Sequence, residues 1–351
     1  MKIAIIAITR NGARLGARLS EGLPGSGLYI PPKLGDHVRC PATVFPECLK
    51  DLMARLWRTV DGLICLMASG IVVRMIAPHL EGKDRDPAVV VMDDAGKFAV
   101  SLLSGHLGGA NRLAEECARL TGATPVITTA TDANGLPSFD SIAREQGWVI
   151  DDLSRVKVLN SLLLEDAEIA VVDPTGQVEQ SCCGRGKLTF HSDFQAALRS
   201  GAQGFLFVTN RRLPPQVQSP RLLVLHPRNL VLGIGCNSGT SAEEIEEVVL
   251  TNLKRLFLSI KSVRSIATAA AKRDESGLLA VAEKYDLPVV FYESGELNAI
   301  LTPTPPSQHA LDAIGASGVA EPAALLASGN GNLILKKVKS GNVTLAVAEI
   351  P

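Results

Sequence analysis

Apolar runs alternate with amphipathic stretches through the first third of the chain. Residues 3–8 form a continuous apolar run that stops at Arg10-Asn11-Gly12, and residues 13–23 then have helical spacing, so the chain opens as strand, turn and helix. Residues 46–60 give a second amphipathic helix leading into the apolar run 62–67, and residues 111–120 give a third. Further strands are predicted at 88–92, 98–103 and 125–129. Strands that are apolar on both faces and separated by helices imply a mostly parallel, doubly wound sheet covered on both sides.

The pattern weakens beyond Gly135. Residues 137–147 and 153–164 read as helices and 167–172 as a strand, while 173–187, with Pro174, Gly176, Cys182-Cys183 and Gly184, reads as an exposed loop. After a strand at 205–208, the stretch 209–220 with Pro214, Pro215 and Pro220 reads as a linker. A new apolar run at 230–236 precedes Thr240 and Ser241, and Ser241 with Glu244 has the spacing of a capping box for a helix over 242–257. A strand at 263–268, helices at 278–285 and 319–327, and a closing hairpin of 333–337 with 343–348 complete this part. The fold class is therefore α/β: an N-terminal domain over 1–136, a variable middle α/β domain over 137–225 and a smaller C-terminal α/β domain over 226–351.

Composition removes several function classes. The chain has 351 residues, is 46% hydrophobic and carries a formal net charge of −1, so nothing in its overall charge attracts nucleic acid or an anionic membrane. At 4% aromatic it also lacks the rings of a stacking platform for single strands. Seven cysteines without a C-x-x-C pair fit a reducing cytoplasm better than a disulfide framework, and the apolar start is too short for a signal peptide. His37, His79, His106, His191, His226 and His309 are scattered, which predicts no metal site.

The turns after the strands carry the candidate chemistry. Ala68-Ser69-Gly70 leads to Arg74, Ser104-Gly105-His106-Leu107-Gly108-Gly109-Ala110-Asn111 opens a helix, and Ala130-Thr131-Asp132-Ala133-Asn134-Gly135 follows the strand at 125–129. In a parallel sheet these three turns share the carboxyl edge, where glycines allow close approach and free helix N–H groups receive anions. In the C-terminal part Gly233, Gly235 and Gly239 form a pattern one residue longer than the dinucleotide fingerprint, and the acidic residue expected after 263–268 is missing. A nicotinamide cofactor is thereby disfavoured. Cys236, before a predicted helix, is either a thiol of lowered pKa or a small buried side chain in a turn.

Longer motifs resemble one family. Ala68 to Pro78, Lys83 to Val91, Leu103 to Asn111 and Ala130 to Gly135 are similar to the amino-terminal half of the cobalt-precorrin-5A hydrolases, the CbiG family. Gly233-Ile234-Gly235-Cys236, Gly239 to Glu244, Lys272 to Leu278 and Val319 to Ala324 resemble that family's C-terminal domain, with a departure at Asn237-Ser238, where basic residues are common.

The resemblance implies hydrolysis of a δ-lactone on a cobalt-containing tetrapyrrole, with a two-carbon fragment leaving as acetaldehyde. Cobalt then belongs to the substrate and no cofactor is needed; neighbouring pathway enzymes are a further class of partner. Such a reaction needs a base and an acid, for which His106 and Asp132 are the candidates, Asp132 having a helix cap as its alternative role. The candidate substrate contacts are Ser69, Gly70, Arg74, Ser104, Gly105, Gly108, Gly109, Asn111 and Asn134, with Gly235, Cys236, Gly239, Thr240, Ser241 and Lys272 in the C-terminal part. Two other classes stay open: a non-catalytic tetrapyrrole carrier and a nucleotide-dependent oxidoreductase.

Overall fold

The apolar runs become buried strands. In the computed structural model, which describes residues 1–82 and 85–351, the N-terminal sheet contains β1 (Ile3–Ala7), β2 (Ser26–Ile30), β3 (Thr43–Val44), β4 (Gly62–Leu66), β5 (Ala88–Met92), β6 (Phe98–Leu103) and β7 (Thr124–Val126). Lys83, which begins one of the family-like motifs, lies outside the described residues. Side-chain alternation along β1, β4 and β5 divides their residues between two cores. Ile3, Ile5, Ile64 and Val90 pack with Leu19 and Leu113 on one face. Ala4, Ile6, Leu63 and Val89 pack with Leu52, Leu56 and Val72 on the other. The sheet is doubly wound and mostly parallel, in the order β3-β2-β1-β4-β5-β6-β7.

One pairing breaks the parallel rule. β5 and β6 are antiparallel, joined by a hairpin over residues 93–97 that is far too short for a parallel crossover. Asp93 holds this hairpin by accepting the backbone N–H groups of Ala95, Lys97 and Phe98 at 2.9, 2.9 and 2.7 Å. β7 is parallel to β6, so both carboxyl ends emerge at the sheet edge opposite those of β1, β4 and β5. The expected convergence of three turns on one edge is corrected: the turns after β6 and β7 share an edge, and the one after β4, with Ser69, Gly70 and Arg74, lies at the other.

The second sheet, ordered β10-β9-β11-β12-β8, contains β8 (Val149–Ile150), β9 (Ile169–Val172), β10 (Leu188–Phe190), β11 (Gly204–Val208) and β12 (Leu222–His226). Residues 173–187, expected as a loop, include the helix Gln177–Cys182, whose Val178 and Cys182 are buried. The stretch 209–220 connects β11 to its parallel neighbour β12, so the third sheet starts only at Leu230.

The third sheet has the order β15-β14-β13-β17-β16, from β13 (Leu230–Cys236), β14 (Val263–Ala269), β15 (Val289–Tyr292), β16 (Asn332–Ser340) and β17 (Val343–Glu349). Gly233 lets the helix Ala320–Ala327 approach: a Cβ there would lie 1.8 Å from the Ala320 carbonyl oxygen. Ser241 caps the helix Ala242–Arg255 by accepting the N–H of Glu244 at 3.2 Å. The Glu244 carboxylate turns away from the expected capping box and accepts the N–H of Asn342 at 2.8 Å instead.

Spatial contacts divide the chain into two compact units. One comprises Met1–Arg144, Leu163–Asp166 and Ser181–Gly186, and the other Glu145–Leu162, Ala167–Gln180 and Lys187–Pro351. Among the described residues no helix is long and apolar enough to cross a membrane.

Candidate active site

The turn after β6 folds on itself before the helix Ala110–Thr121 begins. The N–H groups of Ala110 and Asn111 donate to the carbonyls of Ser104 and Gly105, both at 3.1 Å, so these helix donors are not open to an anion as the sequence predicts. Packing accounts for the glycines. A Cβ on Gly108 would lie 2.4 Å from that of Ser104, one on Gly105 2.6 Å from the Asn111 amide oxygen, and one on Gly109, at φ 86°, 2.2 Å from the Arg144 guanidinium. What this turn offers is its side chains, His106 above all.

His106 meets the turn after β7. Its Nε2 donates to Oδ2 of Asp132 at 2.6 Å. The same oxygen accepts Asn111 Nδ2 at 3.1 Å and the Thr129 hydroxyl, while Asn111 is fixed in turn by the Ser101 hydroxyl, 2.7 Å from its amide oxygen. Asp132 is the third residue of the short helix Ala130–Ala133, and side-chain donors fill its Oδ2, so the helix-cap role does not describe it. Three donors share Oδ2, and among the described residues Oδ1 of this 39% exposed side chain has no hydrogen-bond partner.

The other ring nitrogen is held from the start of the helix Phe139–Gln146. Nδ1 lies 3.0 Å from the Ser138 hydroxyl and 3.4 Å from Oδ1 of Asp140, and that hydroxyl donates to Asp140. The Asp140 side chain is 5% exposed. Burial alone would disfavour the imidazolium, but hydrogen bonding to Asp140 and Asp132, and their charge, outweigh it. The His106 pKa therefore lies above the ordinary histidine value. Ser138 and Asp140 escape a reading of the sequence, because a serine and an aspartate at a helix start signal a cap.

The remaining N-terminal candidates stand apart from this pair. Arg74 donates to the Gly70 carbonyl at 3.0 Å along its own helix, Ser69–Ile76, at the opposite sheet edge. Asn134 donates to the Ala130 carbonyl at 2.8 Å.

In the C-terminal part, Gly235, Cys236 and Lys272 line a cavity of about 550 Å³. Gly239, Thr240 and Ser241 serve local structure: the Gly239 N–H donates to Glu275 at 3.0 Å, the Thr240 hydroxyl to the Asn237 carbonyl at 2.7 Å, and Ser241 is the helix cap. Burial raises the Cys236 thiol pKa despite the Lys272 charge, the reverse of an activated thiol. Lys337, Lys339 and His309 also line this cavity and were not among the expected residues.

Comparison with known proteins gives these sites a family. The family model described as cobalamin synthesis G N-terminal matches residues 51–132, that of the cobalamin biosynthesis central region matches 137–227, and that of the cobalamin synthesis G C-terminus matches 230–348. The chain is 39% identical over 99% of its length to the cobalt-precorrin-5A hydrolase of Priestia megaterium, covering 95% of that protein. It is 30% identical over 98% of its length to the enzyme of the same name from Salmonella typhimurium, covering 97%. A solved cobalamin biosynthesis protein G homolog from Sulfolobus solfataricus is 24% identical, with 99% of this chain and 97% of that one covered and a TM-score of 0.38. With all three models matched in order and full-length relatives at this identity, the chain belongs to the CbiG family.

Proposed function

We infer that this chain is a cobalt-precorrin-5A hydrolase, converting that lactone and water into cobalt-precorrin-5B and acetaldehyde. The observation that carries the catalytic part is the carboxylate of Asp132, partly in solvent and hydrogen-bonded to an imidazole whose pKa two carboxylates raise. Full-length likeness to two proteins of that name supplies the substrate.

The chemistry requires proton movement and no redox step. Water adds to the lactone carbonyl and the acyl–oxygen bond breaks, leaving a carboxylate on the macrocycle and a hydroxyl on the carbon that bears the methyl group. Removal of the hydroxyl proton lets the carbon–carbon bond to the macrocycle break. The electron pair passes to the ring carbon, which takes a proton, and acetaldehyde departs.

In this reading Asp132 Oδ1 takes that proton and returns it to the ring carbon, a general base and then a general acid. His106 acts beside it: its charge favours the developing alkoxide. Ser138 and Asp140 are positioning residues that hold Nδ1 and, with it, the direction of Nε2. The partner is thus a cobalt-containing tetrapyrrole whose metal arrives with it. Incubating anaerobically prepared lactone with the purified chain and assaying acetaldehyde tests the function. Release proportional to enzyme is expected, whereas intact lactone that stays bound identifies a carrier.

A further inference from the structure

We propose that the C-terminal cavity binds the carboxylate-bearing edge of a tetrapyrrole and that Lys337 and Lys339 are its specificity-determining cations. This rests on the function inferred above for the substrate class and on the cavity itself for the site. Lys337 and Lys339 are two apart on β16, so both side chains leave the same face, while Val338 between them packs into the sheet's core. Lys272, after β14, brings a third ammonium, and His309 an imidazole.

The charge of this lining is one-sided. Among the described residues, the cavity walls include three lysines and no aspartate or glutamate, in a chain whose net charge is −1. Lys272 pairs with Glu275 at 2.9 Å, and Lys337 Nζ donates to the Pro305 carbonyl at 3.1 Å. The Lys339 ammonium has no hydrogen-bond or ion-pair partner among the described residues. A cavity lined by cationic side chains suits an anionic ligand.

The lining is also apolar in part, through Ala310, Ala313, Ile314 and Val319. Lysines together with aliphatic side chains in one lining match a macrocycle fringed with carboxylates better than a compact phosphate. At about 550 Å³ the space is that of a small-molecule pocket and takes one edge of such a ring. The strand carrying Lys337 is anchored from beneath, since the Lys337 N–H donates at 2.8 Å to Glu321, itself 2% exposed. The cations are thus on a fixed element, as a recognition site requires.

The test is fluorescence titration of uroporphyrin, an octacarboxylate tetrapyrrole, with the full chain and with a Lys337→Glu/Lys339→Glu double variant whose thermal unfolding matches wild type. The expected result is wild-type binding that weakens with added salt, a Kd at least tenfold weaker in the variant, and little competition from pyrophosphate. No binding by wild type, a variant Kd within twofold, or full displacement by pyrophosphate overturns the proposal. The same proteins assayed for acetaldehyde separate the two readings. Turnover with KM and uroporphyrin Kd unchanged in the variant defeats the cavity and leaves the hydrolase. Absence of turnover in wild type, with uroporphyrin binding lost in the variant, defeats the hydrolase and leaves the cavity.

Discussion

Nε2 of His106 lies 2.6 Å from Oδ2 of Asp132, although the two residues are 26 positions apart. They meet because β6 and β7 run parallel to each other, so the turns that follow them emerge side by side. The reversal between β5 and β6 sets this pair at the sheet edge away from Arg74. The Asp132 carboxylate is thereby held by a histidine whose other ring nitrogen lies 3.4 Å from the buried Asp140 carboxylate.

That second carboxylate gives a pH prediction. The folded pKa of His106 is raised above its unfolded value of about 6.5, so the stabilisation from its charge is complete below that value and is lost as pH rises through the folded pKa. Turnover that needs the imidazolium falls over the same limb. Asp140→Asn removes one source of the upward shift, so the His106 titration, followed by NMR of the ring protons, and the alkaline limb of kcat should both move to lower pH. Unchanged positions for both would show that Asp140 does not act through His106.

Gly233 gives a stability prediction independent of catalysis. A methyl group at this position would collide with the backbone carbonyl of Ala320, an atom that cannot swing aside as a side chain can. Gly233→Ala should cost about 1–3 kcal/mol or more, the range for overpacking. A urea midpoint equal to that of wild type would contradict this contact.

Much of this architecture is legible in the sequence, and the failures have physical causes. The buried strands at 88–92 and 98–103 stand out as apolar runs, but hydrophobicity carries no direction. Only the short polar stretch 93–97 between them reveals the hairpin, and Asp93 and Gly96, at φ 67°, are its chemical signature. β2 is hidden because glycines precede and interrupt it, at Gly25 and Gly27. His106 and Asp132 are legible because reactive side chains in turns are conspicuous. Ser138 and Asp140 imitate a helix cap, and Lys337 and Lys339 imitate the solvated face of a hairpin until their common cavity is seen.

Metal removal provides another check. Among the described residues no group of three or more histidines, cysteines or acids is placed to hold a metal ion, and the inferred proton chemistry of Asp132 needs none. Acetaldehyde release should therefore stay within twofold after dialysis against a chelator, since the cobalt is enclosed by the substrate macrocycle. Loss of activity that returned on adding zinc would contradict this.

The most direct measurement is single-turnover acetaldehyde release by wild type, Asp132→Asn and His106→Ala at saturating lactone, with thermal unfolding confirming each fold. Loss of a general base or of the cation that supports it should lower the rate by about a hundredfold or more in both variants, with a smaller change in substrate binding. Release within a few-fold of wild type in either variant would contradict the assignment of the reaction to the His106–Asp132 pair.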